Sequence, residues 1–485
     1  MNYKMMGRLF GLILCIEAAF MLPAFILALV DKDGRVALGF GITVLLCAAL
    51  GGGLLWLCRH AKNDFFAKEG LVCVGLSWIL LCIFGALPVF IGDDIPSYVD
   101  ALFEMVSGFT TTGASICPNV EALSRATLYW RSFSHWIGGM GVLVFVMALI
   151  PVGGKNEGFT MHLLRAESPG PDVGKLVPRM RQTALILYLV YIVMTVACFI
   201  FLVFDMPVFD AICTSFGTAG TGGFGVKNDS IAGYSPYVQT VCAVFMMLFG
   251  INFSCYYLLL LRNVLGVLRD EELRLYLGLI LGAVCIISLD LSAGQFYGTL
   301  GETVRHAFFQ VSSIISTTGF ATTDFDLWPS LSKAVLILLM VVGGSAGSTA
   351  GGLKCARALL LIKSFFRNIG RVQNPQKVAV IRINKKPIDE KIATATAAYL
   401  GAYVLIVLAS FLLISVDGFS VTTNFTAVLA CFNNVGPGLD AVGPTCNFSA
   451  YSGFSKVVLI LNMLAGRLEI FPILALFSAK AWRRN

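Results

Sequence analysis

Apolar residues gather in ten long blocks, near 7–30, 36–58, 70–92, 130–150, 182–204, 238–262, 274–291, 333–361, 393–415 and 455–480. About 20 apolar residues in a helix cross the hydrocarbon of a bilayer, so these blocks predict ten spanning helices. Four shorter apolar segments lie between them, near 99–111, 208–219, 303–316 and 421–433. At about 12 residues, or about 18 Å of helix, each is too short to cross. Each runs into small polar residues and glycine, which predicts a helix that enters half-way and returns through an irregular loop. Such a loop is tolerated at membrane depth only where protein or a water-filled pore surrounds it. The opening block has a basic lead in Lys4 and Arg8 but is full-length with no clear small-residue cleavage site. It is expected to be a spanning helix, not a signal.

The order spanning helix, short helix, glycine loop, spanning helix occurs four times. The loop-centred segments read DALFEMVSGFTTTGAS from Asp100, FDAICTSFGTAGTGGFG from Phe209, RHAFFQVSSIISTTGFAT from Arg305 and NFTAVLACFNNVGPGLD from Asn424. Aligned on the final glycine, Gly113, Gly222, Gly319 and Gly436 become equivalent. The expected fold is an all-α polytopic membrane protein. It has a two-helix hairpin at 1–68, then pore repeats at 69–160, 161–270, 271–375 and 376–485, the third with a broken second helix. Repeats of this kind place a pore on their symmetry axis.

Composition agrees. Of 485 residues 57% are apolar and 13% charged, with a mean hydropathy of +0.82, against about 25% charged in soluble domains. The net charge of +7 has a topological origin. Alternate loops collect Arg59, Lys62 and Lys68; Lys155, Arg165, Lys175, Arg179 and Arg181; Arg262, Arg269 and Arg274; then the basic run from Lys363 to Lys391, and Lys480, Arg483 and Arg484. The opposite loops carry Asp93, Asp94, Asp100, Asp205, Asp210, Asp229, Asp324, Asp326, Asp417 and Asp440. The basic set is therefore expected in the cytoplasm with both termini, and the short helices enter from outside. No nucleic-acid partner is needed. The 14 cysteines show no CxxC pair and the four histidines no metal-ligand spacing, so small-hydrophobe packing is the reading for the thiols.

Glycine loops after half-crossing helices suit a dehydrating cation. Backbone carbonyls replace its hydration shell, glycine permits the positive φ that aims them, and the helix C-termini add negative partial charge. The expected cage is Thr111, Thr112 and Gly113; Gly220, Thr221 and Gly222; Thr317, Thr318 and Gly319; and Asn434, Val435 and Gly436. Any single Thr–Gly pair would read as a helix cap; four in register favour a filter.

Two features lie further along the path. The eighth block reads LILLMVVGGSAGSTAGGLKCARALLLI, with Gly343, Gly344, Gly347, Gly351 and Gly352 interleaved with Ser345 and Ser348. The small-xxx-small series 343, 347, 351 could be a packing face. The doubled glycines favour a break, since each costs about 1 kcal/mol in a helix. A phosphate loop is excluded, because Leu353 separates Gly352 from Lys354. Arg467 falls mid-membrane in the last block and is a functional candidate by position, facing the pore or joined in an interhelical salt bridge. Glu17 reads as a structural hydrogen-bonding residue. Glu104 either orients the first loop or concentrates cations, and His135 beside Trp130 and Trp136 reads as interfacial.

The segments SGFTTTGAS, HWIGGMGVLVF from His135, GGSAGSTAGGLK and AGRLEIFP from Ala465 resemble the membrane subunit of the Trk/Ktr/HKT superfamily of potassium transporters, most closely its TrkH branch. The resemblance covers essentially the whole chain, including two extra N-terminal helices. It implies potassium as the transported ion, since the first filter position is glycine where sodium-linked plant members carry serine. It also implies an intramembrane loop under the third filter and a pore arginine as the gate. A homodimer in the bacterial cytoplasmic (inner) membrane and a separate cytoplasmic TrkA-like ring of nucleotide-binding RCK domains follow from the same likeness. The basic segments 151–181 and 362–392 suit the docking of such a ring, and membrane lipid is the other expected partner, around the spans. No organic cofactor is implied. Gated passive permeation and proton- or sodium-coupled symport remain the two functional classes; no catalytic constellation speaks for an enzyme.

Overall fold

The computed structural model describes residues 2–61, 67–141, 180–374 and 380–478. Most of the basic segment 151–181, and the distal half of the block at 130–150, lie outside them. Two helices open the chain, α1 (Tyr3–Val30) and α2 (Gly34–Leu57). They approach closely where Gly11 faces the carbonyl of Gly51, the contact that small residues permit in the absence of a hydrophobic drive between helices.

Four repeats follow. The first has α3 (Ala67–Ile91), the half-length α4 (Tyr98–Phe109) and α5 (Arg125–Met140). The second has α6 (Met180–Val203), the half-length α7 (Val208–Gly220), α8 (Pro236–Phe249), α9 (Phe253–Leu260) and a short α10 (Val264–Leu268). The third has α11 (Glu271–Ala293), the half-length α12 (Leu300–Ile315), α13 (Ser330–Val342) and α14 (Cys355–Gln373). A two-stranded hairpin, Arg382–Ile383 against Lys386–Pro387, precedes the fourth. That repeat has α15 (Glu390–Ile414), the half-length α16 (Val421–Phe432), α17 (Gly453–Arg467) and α18 (Phe471–Phe477). The half-length helices thus fall within a turn of their expected positions. Serine caps start three of the four long return helices, Ser124, Ser235 and Ser452 accepting from Thr127, Val238 and Ser455. A side-chain acceptor there satisfies an orphan amide at the membrane edge.

Among the described residues, blocks other than the eighth are also interrupted. Among the described residues six helices are long and apolar enough to cross, or seven if α8 and α9, bent by 89°, count as one. The block at 238–262 turns at Gly250 and restarts from Asn252, whose side chain caps Ser254. The block at 455–480 breaks at Glu469 and Ile470, with φ of 55° and 68°. The break expected in the third repeat alone is therefore also present in the second and fourth. Glycine or a left-handed residue stops each helix, and freed carbonyls such as those of Phe249 and Gly250 find donors within the protein, in the Thr349 hydroxyl and the Ser345 amide. Hydropathy stays high across such breaks, which is why it conceals them.

Candidate functional site

Each half-length helix ends in the same turn. The amides of Thr112, Gly222, Thr318 and Val435 bond back to the carbonyls of Ser107, Gly217, Ser313 and Ala430 at 2.9, 2.9, 2.8 and 2.9 Å. The residue before each, Thr111, Thr221, Thr317 and Asn434, is left-handed, with φ between 52° and 56°. This is a six-to-one helix cap. A second left-handed residue follows two positions on, at Gly113 (φ 79°), Gly223 (78°), Gly319 (87°) and Gly436 (95°). Capping and ring formation are thus two halves of one loop.

The alignment on Gly222 is therefore one residue out of register. Gly223 is the equivalent glycine, Gly222 stands where the other loops have Thr112, Thr318 and Val435, and Gly220 ends α7. The row of glycines in GTGGFG hides this. Gly222 has its own constraint: a Cβ there would fall on the imidazole of His135.

The four glycines close a ring. A Cβ on Gly113 would strike the carbonyl oxygen of Gly222, one on Gly223 that of Thr318, one on Gly319 that of Val435, and one on Gly436 that of Thr112. Each glycine abuts the next repeat's carbonyl, and the fourth returns to the first. A side chain at these positions would have to displace backbone of the next repeat, so glycine suits the close approach as well as the φ. The ring floors a vestibule of about 130 Å³ lined by all four glycines and by Ser115, Cys117, Asn228 and Asn447 among others.

Buried polar groups hold the loops. Glu104 on α4 pairs with Arg131 on α5 at 2.5 Å, both at most 1% exposed. Its carboxylate also accepts from the Ile116 amide at 2.7 Å and the Ser115 hydroxyl at 3.1 Å. Of the two roles open to Glu104, orienting the first loop is the one the contacts bear out. His135 is fully buried instead of interfacial. Its Nε2 accepts from the Phe224 amide at 3.2 Å, so Nδ1 donates to the Gly108 carbonyl at 2.7 Å, joining the end of α4 to the second loop. Asn434 donates to Thr112 Oγ1 at 2.9 Å, joining the fourth loop to the first. The Thr112 and Thr318 hydroxyls bond to Thr110 and Ser316 at 2.7 Å.

The glycine-rich stretch is a loop, so the packing-face reading of its small residues falls. Gly343, Gly347 and Gly352 have φ of 70°, 68° and 78°. Gly343 and Gly352 meet at its neck, where the Lys354 amide bonds to the Val342 carbonyl at 2.9 Å. The Ser345 amide donates to the Gly250 carbonyl at 3.0 Å, the Ser348 hydroxyl to the Ser345 carbonyl at 2.6 Å, and Gly344 packs on Ala350. The Gly351 amide donates to Thr317 Oγ1 at 2.6 Å, so the loop touches the third glycine loop directly. Arg467 donates to the Thr349 carbonyl at 2.9 Å, to the Gly139 carbonyl at 2.7 Å and to the Gly138 carbonyl. It grips carbonyls of two other repeats, while Glu469 pairs with Arg357. Sequence reasoning passes over Arg131 and Arg357, because each lies near the end of its apolar block, at 130–150 and 333–361, where a charge reads as interfacial.

The TrkH family model, described as a cation transport protein, matches residues 39–484. Over the full length of both chains the sequence is 38% identical to the Trk system potassium uptake protein TrkH of Salmonella typhimurium and 37% identical to that of Escherichia coli K12. The crystal structure of the potassium transporter TrkH from Vibrio parahaemolyticus superposes with a TM-score of 0.88, at 31% identity and covering 100% of both chains. With its hairpin and four helix–half-helix–helix repeats, this chain is a member of the TrkH family of cation transport proteins, a transporter and not an enzyme.

Proposed function

We propose that the chain takes up potassium across the bacterial cytoplasmic membrane through the ring of Gly113, Gly223, Gly319 and Gly436, with both termini in the cytoplasm. The observation that carries this reading is the cyclic contact of each glycine with the next repeat's carbonyl. It leaves main-chain oxygens, the ligands a dehydrated cation needs, as the groups crowded at the axis. The Thr112 and Thr318 hydroxyls, engaged with Thr110 and Ser316, are already partnered. The relatives' names, potassium uptake proteins, support the choice of ion. The loop Gly343–Gly352, bonded to Thr317 and held by Arg467, acts as the gate, and the guanidinium adds an electrostatic barrier. By the same likeness the chain pairs as a homodimer and docks a cytoplasmic TrkA-like ring.

Permeation needs no coupled ion, since an inside-negative potential supplies about 2.3 kcal/mol per unit charge per 100 mV. Coupled symport would call for a carboxylate on the path. Glu17 instead sits in α1, outside the four repeats and beside Gly85. Potassium flux into proteoliposomes under an imposed potential, with pH and sodium gradients applied or collapsed, tests this. Flux should follow the potential and the potassium gradient alone; strict dependence on either other gradient overturns it. In the same assay Gly113→Ser should reduce discrimination of potassium over sodium, and unchanged selectivity would remove Gly113 from the filter.

A further inference from the structure

We infer that Glu272 is the positioning residue that holds the loop Gly343–Gly352 under the ring, by fixing the loop and the helix after it to a single carboxylate oxygen. This inference rests on the reading of that loop as the gate. Glu272 lies in the first turn of α11 and is 9% exposed. Its Oε1 accepts from the Ala346 amide at 2.6 Å and from the Ala356 amide at 3.1 Å. Ala346 belongs to the loop; Ala356 is in the first turn of α14. The N-cap position of α14 is Lys354, which supplies no side-chain cap. A helix start without a cap leaves amides unsatisfied in a buried setting, and Glu272 provides the acceptor from a different helix. A carboxylate near a helix N-terminus is doubly suited, as hydrogen-bond acceptor and as counter-charge to the helix dipole.

The carboxylate is itself anchored. Asp270 caps α11 through the Leu273 amide at 2.9 Å. Asn384, at the tip of the small hairpin, accepts from the Glu271 amide at 2.8 Å and donates to Asp270 at 2.7 Å. Moving the loop away from the ring therefore requires the Ala346 bond to Glu272 to break, or the start of α11 to move with it, while the Ala356 bond keeps the carboxylate at the foot of the loop. Other loop contacts engage neutral backbone or hydroxyl groups, at Gly250, Phe253 and Thr317, or come from the cations Lys354 and Arg467. Glu272 is the carboxylate of the set.

The test compares Glu272→Ala, Glu272→Gln and a variant lacking residues 345–350, each purified as the otherwise complete chain and reconstituted, by potassium flux and by hydrogen exchange of backbone amides. Losing two charge-assisted bonds should raise the displaced-loop population, and with it basal flux, on the order of tenfold in Glu272→Ala. Glu272→Gln, which keeps one carbonyl acceptor, should lie between it and the parent chain. Amides around Ala346 and Ala356 should lose protection while those of Thr112, Thr318 and Val435 keep theirs; a general loss of folding would raise exchange in all of them. If the loop deletion raises flux and Glu272→Ala does not, the assignment of Glu272 is overturned and the gate stands. If the deletion leaves flux unchanged, the gate reading fails and the role of Glu272 fails with it. Unaltered exchange at Ala346 and Ala356 in Glu272→Ala overturns the assignment whatever the flux.

Discussion

Gly222 and Gly223 are neighbours with opposite reasons for being glycine. Gly223 is left-handed and abuts the Thr318 carbonyl, which is backbone and cannot yield. Gly222 has an ordinary φ but faces the His135 ring, a side chain that can be removed. An alanine at either position should reduce potassium flux on the order of tenfold or more, given about 1–2 kcal/mol of left-handed strain at 223 and a steric clash at both. Trimming the ring in the double variant Gly222→Ala, His135→Ala should recover part of the flux. The corresponding double variant at Gly223 should recover none. Rescue at Gly223 and none at Gly222 would show that the second loop is in the other register.

Between elements, the pair Glu104–Arg131 joins α4 to α5 and also supports the first loop through Ser115 and Ile116. Two charges this deeply buried are costly unless matched. Arg131→Met should therefore lower the stability of the purified protein by about 3–5 kcal/mol, because it strands the carboxylate. Adding Glu104→Gln should return much of that loss, since the uncompensated charge goes with it. Thermal unfolding in detergent, read for both single variants and the double, measures the recovery; additive losses would mean that the pair does not act as a unit. The second helices show a related economy. Three of them stop where the chain turns beneath the half-length helices, at Phe249, Val342 and Arg467. Gly138 and Gly466 pack against the carbonyls of Phe109 and Phe432 that end those helices, so the approach needs small residues at both places.

At the scale of the molecule, Arg467 belongs to the fourth repeat but binds carbonyls of the first and of the third-repeat loop. It ties together parts that must separate if the loop is to move. Arg467→Ala should raise basal potassium flux several-fold. Arg467→Lys should give an intermediate value, since one ammonium cannot reproduce the fork that reaches Thr349 and Gly139 together. Flux in both variants at or below that of the parent chain would remove Arg467 from the gate.

How much of this was legible in the residues follows the range of the physics. Hydropathy and helix length are local, so the hairpin, the half-length helices and the fourfold order could be read directly from the chain. The glycines could be read too, because only a backbone requirement places one after each of four short helices. What only the tertiary structure decided is which of two adjacent glycines turns left-handed. That choice depends on His135 and on the Thr318 carbonyl, which come from other repeats. The partners of Glu104, Glu272, Glu469 and Arg467 were settled in the same way, since Arg131, Ala346, Arg357 and Thr349 lie on other elements, 27 to 118 residues away in the chain. Burying a charge in this setting demands a match, but sequence spacing carries no record of which group supplies it.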